Sequence, residues 1–220
     1  MPEWNLVSVN VGLPRQYGRP DAEDPMDQPW VTATYKSPLE GPAELGRLGL
    51  AGDGQADREN HGGVDKAVLV YSGDHYPYWQ SALGIPEFTA GALGENFTVE
   101  GATEKDVCIG DQYAIEDTLV EVSQPRQPCW KQARRWRIKN LVVQILNHGG
   151  TGWYLRVIRG GVVSAGMKAR LTARPYPQWT IARANQIMHF EKSNGELARQ
   201  LAAVEPLSEG WKAHLIHRSS

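Results

Sequence analysis

The sequence predicts a mainly β fold with a small helical appendage. Three observations carry that prediction. Short period-two apolar segments recur through the first three quarters of the chain, turn residues separate them, and helical spacing takes over after residue 175. The 23 glycines and 14 prolines are scattered, as expected of many short strands joined by tight turns.

In chain order, Leu6 to Val11 alternates with Val7, Val9 and Val11 on one face, and Val31 to Tyr35 repeats the pattern before Ser37 and Pro38. Lys66 to Tyr71 is almost continuously apolar, the mark of a strand buried on both faces. Asn96 to Val99 ends at Gly101. Tyr113–Ile115 and Leu119–Val122 flank Glu116–Thr118 as a hairpin, and Lys168 to Thr172 closes the series. Many short strands of this kind favour a closed or strongly curved sheet. Asp74 is expected to cap a helix carrying His75, Tyr78, Trp79 and Leu83. Ile138 to Leu146 places Leu141, Val142, Ile145 and Leu146 on one side before Gly149 and Gly150.

The tail reads differently. Thr180 precedes a helical segment to Met188, Ser193 to Glu196 forms a capping box ahead of Leu197, Leu201 and Val204, and Ser208 opens a segment with Trp211 and Leu215. Helices this short are marginal alone, so they must pack together or onto the sheet. The expected organisation is residues 1–175 as one domain and 176–220 as a three-helix domain.

With 220 residues, a net charge of -2 and 41% hydrophobic content, the chain is an ordinary globular one. No apolar run is long enough to span a membrane, and the N-terminus lacks a signal-peptide pattern, so a cytoplasmic protein is expected. Two cysteines, Cys108 and Cys129, are too few for a disulfide scaffold. The balanced charge gives no global support for nucleic-acid binding.

Against this balance, residues 126–139 read RQPCWKQARRWRIK, six cations without a carboxylate. Fixed positive charge stabilises a thiolate, which is both a nucleophile and a soft metal ligand. Cys129 is therefore the candidate reactive residue, with Pro125 and Pro128 restricting the backbone around it. Cys108, in an apolar Val-Cys-Ile patch, reads as a small buried hydrophobe. A second candidate is the glycine-rich segment 49–66, where His61 and Lys66 precede the buried strand. Asn96, in Gly-Glu-Asn-Phe, has the donors and acceptor to read a heterocycle edge or simply to form a turn. Trp153 and Tyr154 read as core aromatics. His61, His75, Cys108 and Cys129 lack the paired spacing of a zinc site.

Taken together, GDGQADRENHGGVDKAVLVY at 52–71, GENFT at 94–98, VSQPRQPCWK at 122–131, GTGWYLRV at 150–157 and the helical tail resemble the MOSC-domain proteins of the YiiM-like branch. The resemblance implies a MOSC β-barrel-like domain followed by a three-helix domain. It implies a molybdenum cofactor whose metal takes the Cys129 thiolate. Arg126, with Lys66 and Arg156 behind it, would hold the phosphate or pterin, and His61 and Asn96 would line the same pocket, with Ser123 as a further candidate. Related MOSC enzymes reduce N-hydroxylated compounds, so reduction of such small molecules is the expected activity, with His61 as a proton carrier. A separate electron-donating reductase would be the partner, and neither membrane nor nucleic acid is expected. The β-barrel module that precedes MOSC in larger eukaryotic relatives has no counterpart here. The helical tail or a second subunit, as in a homodimer, would then help to hold the pterin. The rival readings are a sulfur carrier bearing a Cys129 persulfide and an anion- or RNA-binding module on residues 126–139.

Overall fold

The alternating segments close into a barrel in the computed structural model, which describes residues 3–219. The first strands are β1 (Glu3–Val11), β2 (Arg15–Tyr17), β3 (Trp30–Thr32), β4 (Ser37–Pro38), β5 (Ala43–Gly46) and β6 (Gly49–Leu50). They are followed by β7 (Val68–Ser72), β8 (Phe97–Glu100), β9 (Gln112–Ile115), β10 (Thr118–Pro125), β11 (Trp153–Arg159), β12 (Gly161–Val163) and β13 (Lys168–Ala173). The helices are α1 (Arg58–His61), α2 (Tyr76–Leu83), α3 (Trp130–Trp136) and α4 (Leu141–His148), then α5 (Ile181–His189), α6 (Gly195–Ala202) and α7 (Glu209–Ser219).

Seven strands run in the order β13-β9-β10-β11-β7-β8-β1, and β1 pairs back onto β13 to close the barrel. Closure satisfies the edges that an open sheet would expose. Every pair is antiparallel except β7 and β8, whose parallel pairing requires the long crossover through α2. The β9–β10 hairpin turns at Glu116, which adopts a positive φ of 48°.

The expected phase of β1 is corrected by a bulge. The register shifts between Leu6 and Ser8, so Val7 points to solvent while Leu6 and Val9 enter the core. The strand expected at 31–35 is confined to Trp30–Thr32 and reversed in facing: Val31 is exposed, and Trp30 and Thr32 are buried. Asp74 does not cap α2. It lies in a single 3-10 turn and its carboxylate accepts a hydrogen bond from the Gly101 N–H at 3.2 Å. Gly149, with φ of 84°, ends α4 as its spacing foretold.

The tail helices share the barrel's apolar cluster: Ile181, Ile187, Leu201, Trp211 and Leu215 join Trp4, Val107, Ile109 and Val122. Backbone bonds join them too. Ile109 N–H donates to the Trp179 carbonyl at 2.9 Å, and Ile181 N–H donates to that of Val107 at 2.8 Å. Thr180 caps α5 by accepting from Arg183 N–H at 3.0 Å. At α6 the cap is Asn194, which accepts from Leu197 N–H at 3.1 Å, one residue beyond the serine expected from the sequence.

Candidate functional site

Strand alternation creates the site. On β7 and β11, Val68, Val70, Trp153 and Leu155 fill the barrel, which turns the cross-strand pair Leu69 and Tyr154 to the outer face. The glycine-rich loop before β7, the 30–36 segment and the turn from β10 into α3 enclose that face. The result is a cleft of about 590 Å³. It opens into a wider mouth rimmed by Trp30, Val31, Pro128 and Trp130.

Cys129 lies where cleft and mouth meet. Pro125 closes β10, Arg126 N–H donates to the Gly152 carbonyl at 3.0 Å, and the chain reaches Cys129 in extended conformation before turning into α3. Gln132 fixes the thiol from below. Its Oε1 accepts from Cys129 N–H at 3.3 Å and from the thiol at 3.2 Å, while its Nε2 donates to the Leu93 carbonyl at 3.3 Å. The same Leu93 carbonyl accepts from Arg126 at 2.9 Å, so the thiol and the guanidinium share one anchor.

The lining is basic. Arg126, Lys66, Lys131 and His61 all face the cleft, with the ion pair of Lys36 and Asp53 at its wall. Lys66 Nζ donates to the Asn60 carbonyl at 2.7 Å, and burial lowers its pKa. His61 is pushed down to about 4, first by burial and then by the positive charge of Lys131, with Arg126 and Lys66 adding to it and Asp57 opposing. Its ring is therefore neutral at pH 7. The Tyr154 hydroxyl, which makes no hydrogen bond among the described residues, is pushed up to about 12 by burial, against the pull of Arg126.

The structure brings Cys129, His61, Arg126, Lys66 and Asn96 to one cleft. Asn96 does not offer a free edge there: its Oδ1 accepts from Leu69 N–H at 3.1 Å, and its Nδ2 donates to the Asn10 carbonyl at 3.3 Å and to Asp53 at 2.9 Å. It is a brace for Asp53. Arg156 lies outside the cleft. Two residues beyond Tyr154 on β11, it is captured by Asp65 at 2.8 Å and Glu121 at 2.7 Å. Ser123 is fully buried at a β10 bulge, its hydroxyl donating to the carbonyls of Asp65 at 2.5 Å and Tyr154 at 3.1 Å. It ties the loop to the barrel and does not reach the cleft.

The remaining arginines of the basic run do not form a solvated helix face. Instead, Arg134 donates to the Met26 carbonyl at 3.0 Å and also to that of Gln28, Arg135 to those of Gly91 at 2.7 Å and Thr34, and Arg137 pairs with Asp24 and Asp27. These arginines fasten the 24–36 segment that walls the cleft. Arg134 also stacks over the Trp30 and Trp130 rings at 5.0 and 5.8 Å. The residues missed from sequence were Lys131, Tyr154 as a lining group, and Gln132. Lys131 and Gln132 lie two and three residues after a proline-flanked cysteine, a position that gives no signal until α3 is known, and Tyr154 reaches the cleft only through its pairing on β11.

A closed barrel with a helical tail and a thiol-bearing basic cleft on its flank defines the class of this protein. The chain belongs to the MOSC-domain family: the MOSC domain matches residues 57–170, and the YiiM-like, 3-alpha helix domain matches residues 179–218. MOSC domains are associated with molybdenum-cofactor binding. The chain is 38% identical to the uncharacterized protein YflK of Bacillus subtilis over 98% of this chain and 94% of that one. It is 36% identical to a protein of Gibberella moniliformis named Reductase, over 72% of this chain but 28% of the longer fungal protein. The crystal structure of YiiM from Geobacillus stearothermophilus superimposes with a TM-score of 0.82 at 34% identity, covering 99% of this chain and 100% of that one. No described helix is long and apolar enough to cross a membrane.

Proposed function

We propose that this chain is a molybdenum-dependent oxidoreductase that reduces N-hydroxylated small molecules, with Cys129 Sγ as the protein's ligand to the metal. The overall change is R–NH–OH + 2 e⁻ + 2 H⁺ → R–NH₂ + H₂O. The observation that carries this reading is one accessible thiol at the junction of a cleft lined by Arg126, Lys66, Lys131 and His61. That donor set suits a soft metal on an anionic, phosphate-bearing pterin: sulfur for the metal, cations for the phosphate. When bound, the cofactor supplies the two-electron chemistry. The fungal relative's name supports the reductase class.

The chain's own residues do the rest. Gln132 sets the direction of Sγ through its two backbone anchors. Arg126, held by the carbonyls of Leu93 and Thr151, presents fixed positive charge. His61, neutral at pH 7, serves as a hydrogen-bond partner and becomes a proton carrier once an anion in the cleft offsets the cations pressing on it. Electrons come from a separate redox protein.

Metal and pterin analysis of protein from a cofactor-competent host tests this, together with turnover of a simple hydroxylamine by an artificial electron donor. Wild type is expected to hold molybdenum and pterin near one per chain, and Cys129→Ala to lose the metal and turnover. Retention of both by Cys129→Ala overturns the assignment. Metal-free wild type carrying a persulfide on Cys129 establishes the sulfur-carrier reading instead.

A further inference from the structure

On the reductase reading above, we infer that the Tyr154 hydroxyl holds the substrate's own hydroxyl, donating a hydrogen bond to the oxygen that leaves nitrogen as water. Four tyrosines are buried among the described residues, and three of them have a partner for the phenol. Tyr71 accepts from Trp79 Nε1 at 2.7 Å, Tyr76 donates to Glu95, and Tyr113 donates to Asp111 at 3.2 Å. Tyr154 is 8% exposed, yet its hydroxyl makes no hydrogen bond among the described residues. An unpaired hydroxyl on a buried side chain is destabilising, and phenylalanine would cover the same wall without that cost. The oxygen therefore serves something that enters from outside the chain.

The backbone fixes where the ring stands. Tyr154 pairs with Leu69 on β7 and with Gln124 on β10, and its carbonyl accepts from the Ser123 hydroxyl at 3.1 Å beside the β10 bulge. The side chain lines both cleft and mouth, as Cys129 does, so the phenol lies on the path by which a small molecule reaches the sulfur. The groups around it divide by charge. Arg126, Lys66 and Lys131 suit an anionic cofactor, whereas the phenol is uncharged near neutrality and both donates and accepts. An N-hydroxyl group is likewise neutral, with one donor and lone pairs that accept, so the two match without desolvating a charge. The bond from the phenol strengthens as the N–O bond breaks and negative charge grows on the oxygen. The two electrons and two protons are those of the overall equation, and the phenol keeps its own proton.

Holoenzyme from a cofactor-competent host tests the assignment with Tyr154→Phe, which keeps the ring. Calorimetry without an electron donor measures affinity for N-phenylhydroxylamine and for aniline, the same molecule without the oxygen. Tyr154→Phe is expected to weaken N-phenylhydroxylamine binding roughly tenfold and to leave aniline binding unchanged. With an artificial electron donor, kcat/KM for N-phenylhydroxylamine should fall at least about tenfold. Molybdenum and pterin content should equal wild type, and the melting temperature should be equal or higher, because only an unpaired hydroxyl is lost. Tyr113→Phe removes a paired phenol outside the cleft, so it should lower the melting temperature and leave both affinities as they are.

Unchanged N-phenylhydroxylamine affinity or unchanged kcat/KM in Tyr154→Phe overturns the inference. Equal loss of aniline binding overturns it too, since the contact would then be with the ring or the amine. Reduced pterin or metal content in Tyr154→Phe gives the hydroxyl to the cofactor, and a lowered melting temperature gives it to a structural partner; either result overturns the substrate role. Loaded, active wild type with an indistinguishable Tyr154→Phe leaves the reductase reading standing. Wild type without metal or turnover removes that reading, and this role with it.

Discussion

Cys108 and Cys129 are both free thiols placed where a loop meets regular structure, and their surroundings are opposite. Around Cys108 the polar groups satisfy one another. Asp111 accepts from Cys108 N–H at 2.9 Å, from Arg174 at 2.6 and 2.9 Å and from the Tyr113 hydroxyl at 3.2 Å, and the thiol itself donates to the Pro177 carbonyl at 3.5 Å. Burial, with Asp111 adding to it, pushes the Cys108 thiol up to about 11. Around Cys129 the anchors are equally firm, but the Lys131 ammonium, the Tyr154 hydroxyl and the His61 ring make no hydrogen bond or ion pair among the described residues. A structural cysteine sits in a closed network, whereas a working one sits beside groups that the fold has left unfinished.

Thiol labelling should separate the two most widely. Iodoacetamide at pH 8 is expected to modify Cys129 at least about a hundredfold faster than Cys108, which is 1% exposed and reacts only when the structure opens. Cys129→Ser should remove the fast phase alone. Comparable rates at the two positions would erase the distinction. Next in size, Asp111→Ala removes the acceptor that closes the Cys108 network and strands Arg174. It should destabilise the fold by about 3 kcal/mol, seen as a lower midpoint in urea. Unchanged cofactor content at a temperature where the variant is folded would show that the Cys108 region acts on stability only.

How far the sequence revealed these two regions follows from what kind of interaction made each. Local signals were legible: the turn at Glu116, the cap at Thr180, the stop at Gly149 and the contrast between an apolar and a basic cysteine segment all depend on neighbours in sequence. The barrel was legible as a curved sheet, but not its β1 bulge, because the phase of Val7 is set by pairing with β8. Charge was the least legible. Arg126, Lys131, Arg137 and Arg156 look alike in a sequence, and only the fold sends one to two carbonyls, one to two carboxylates near residue 25, one to Asp65 and Glu121, and one to no hydrogen-bond or ion-pair partner among the described residues. Arg156 was therefore placed in the wrong company, and Lys131 was overlooked although it stands two residues from the cysteine.

The smallest effect concerns protons. His61 titrates near 6.5 in an unfolded chain and at about 4 in the folded cleft, so between those values the unfolded chain binds a proton that the folded one refuses. Stability must therefore fall as pH drops from about 6.5 toward about 4, and below that window the difference is constant. One group contributes at most about 1.4 kcal/mol per pH unit, and a ring that still touches solvent contributes less. His189, also pushed down to about 4 by burial, titrates in the same window, so His61→Gln should flatten the pH dependence of urea midpoints without abolishing it. A pH dependence unaltered by His61→Gln would mean that burial in the cleft does not hold this histidine against protonation.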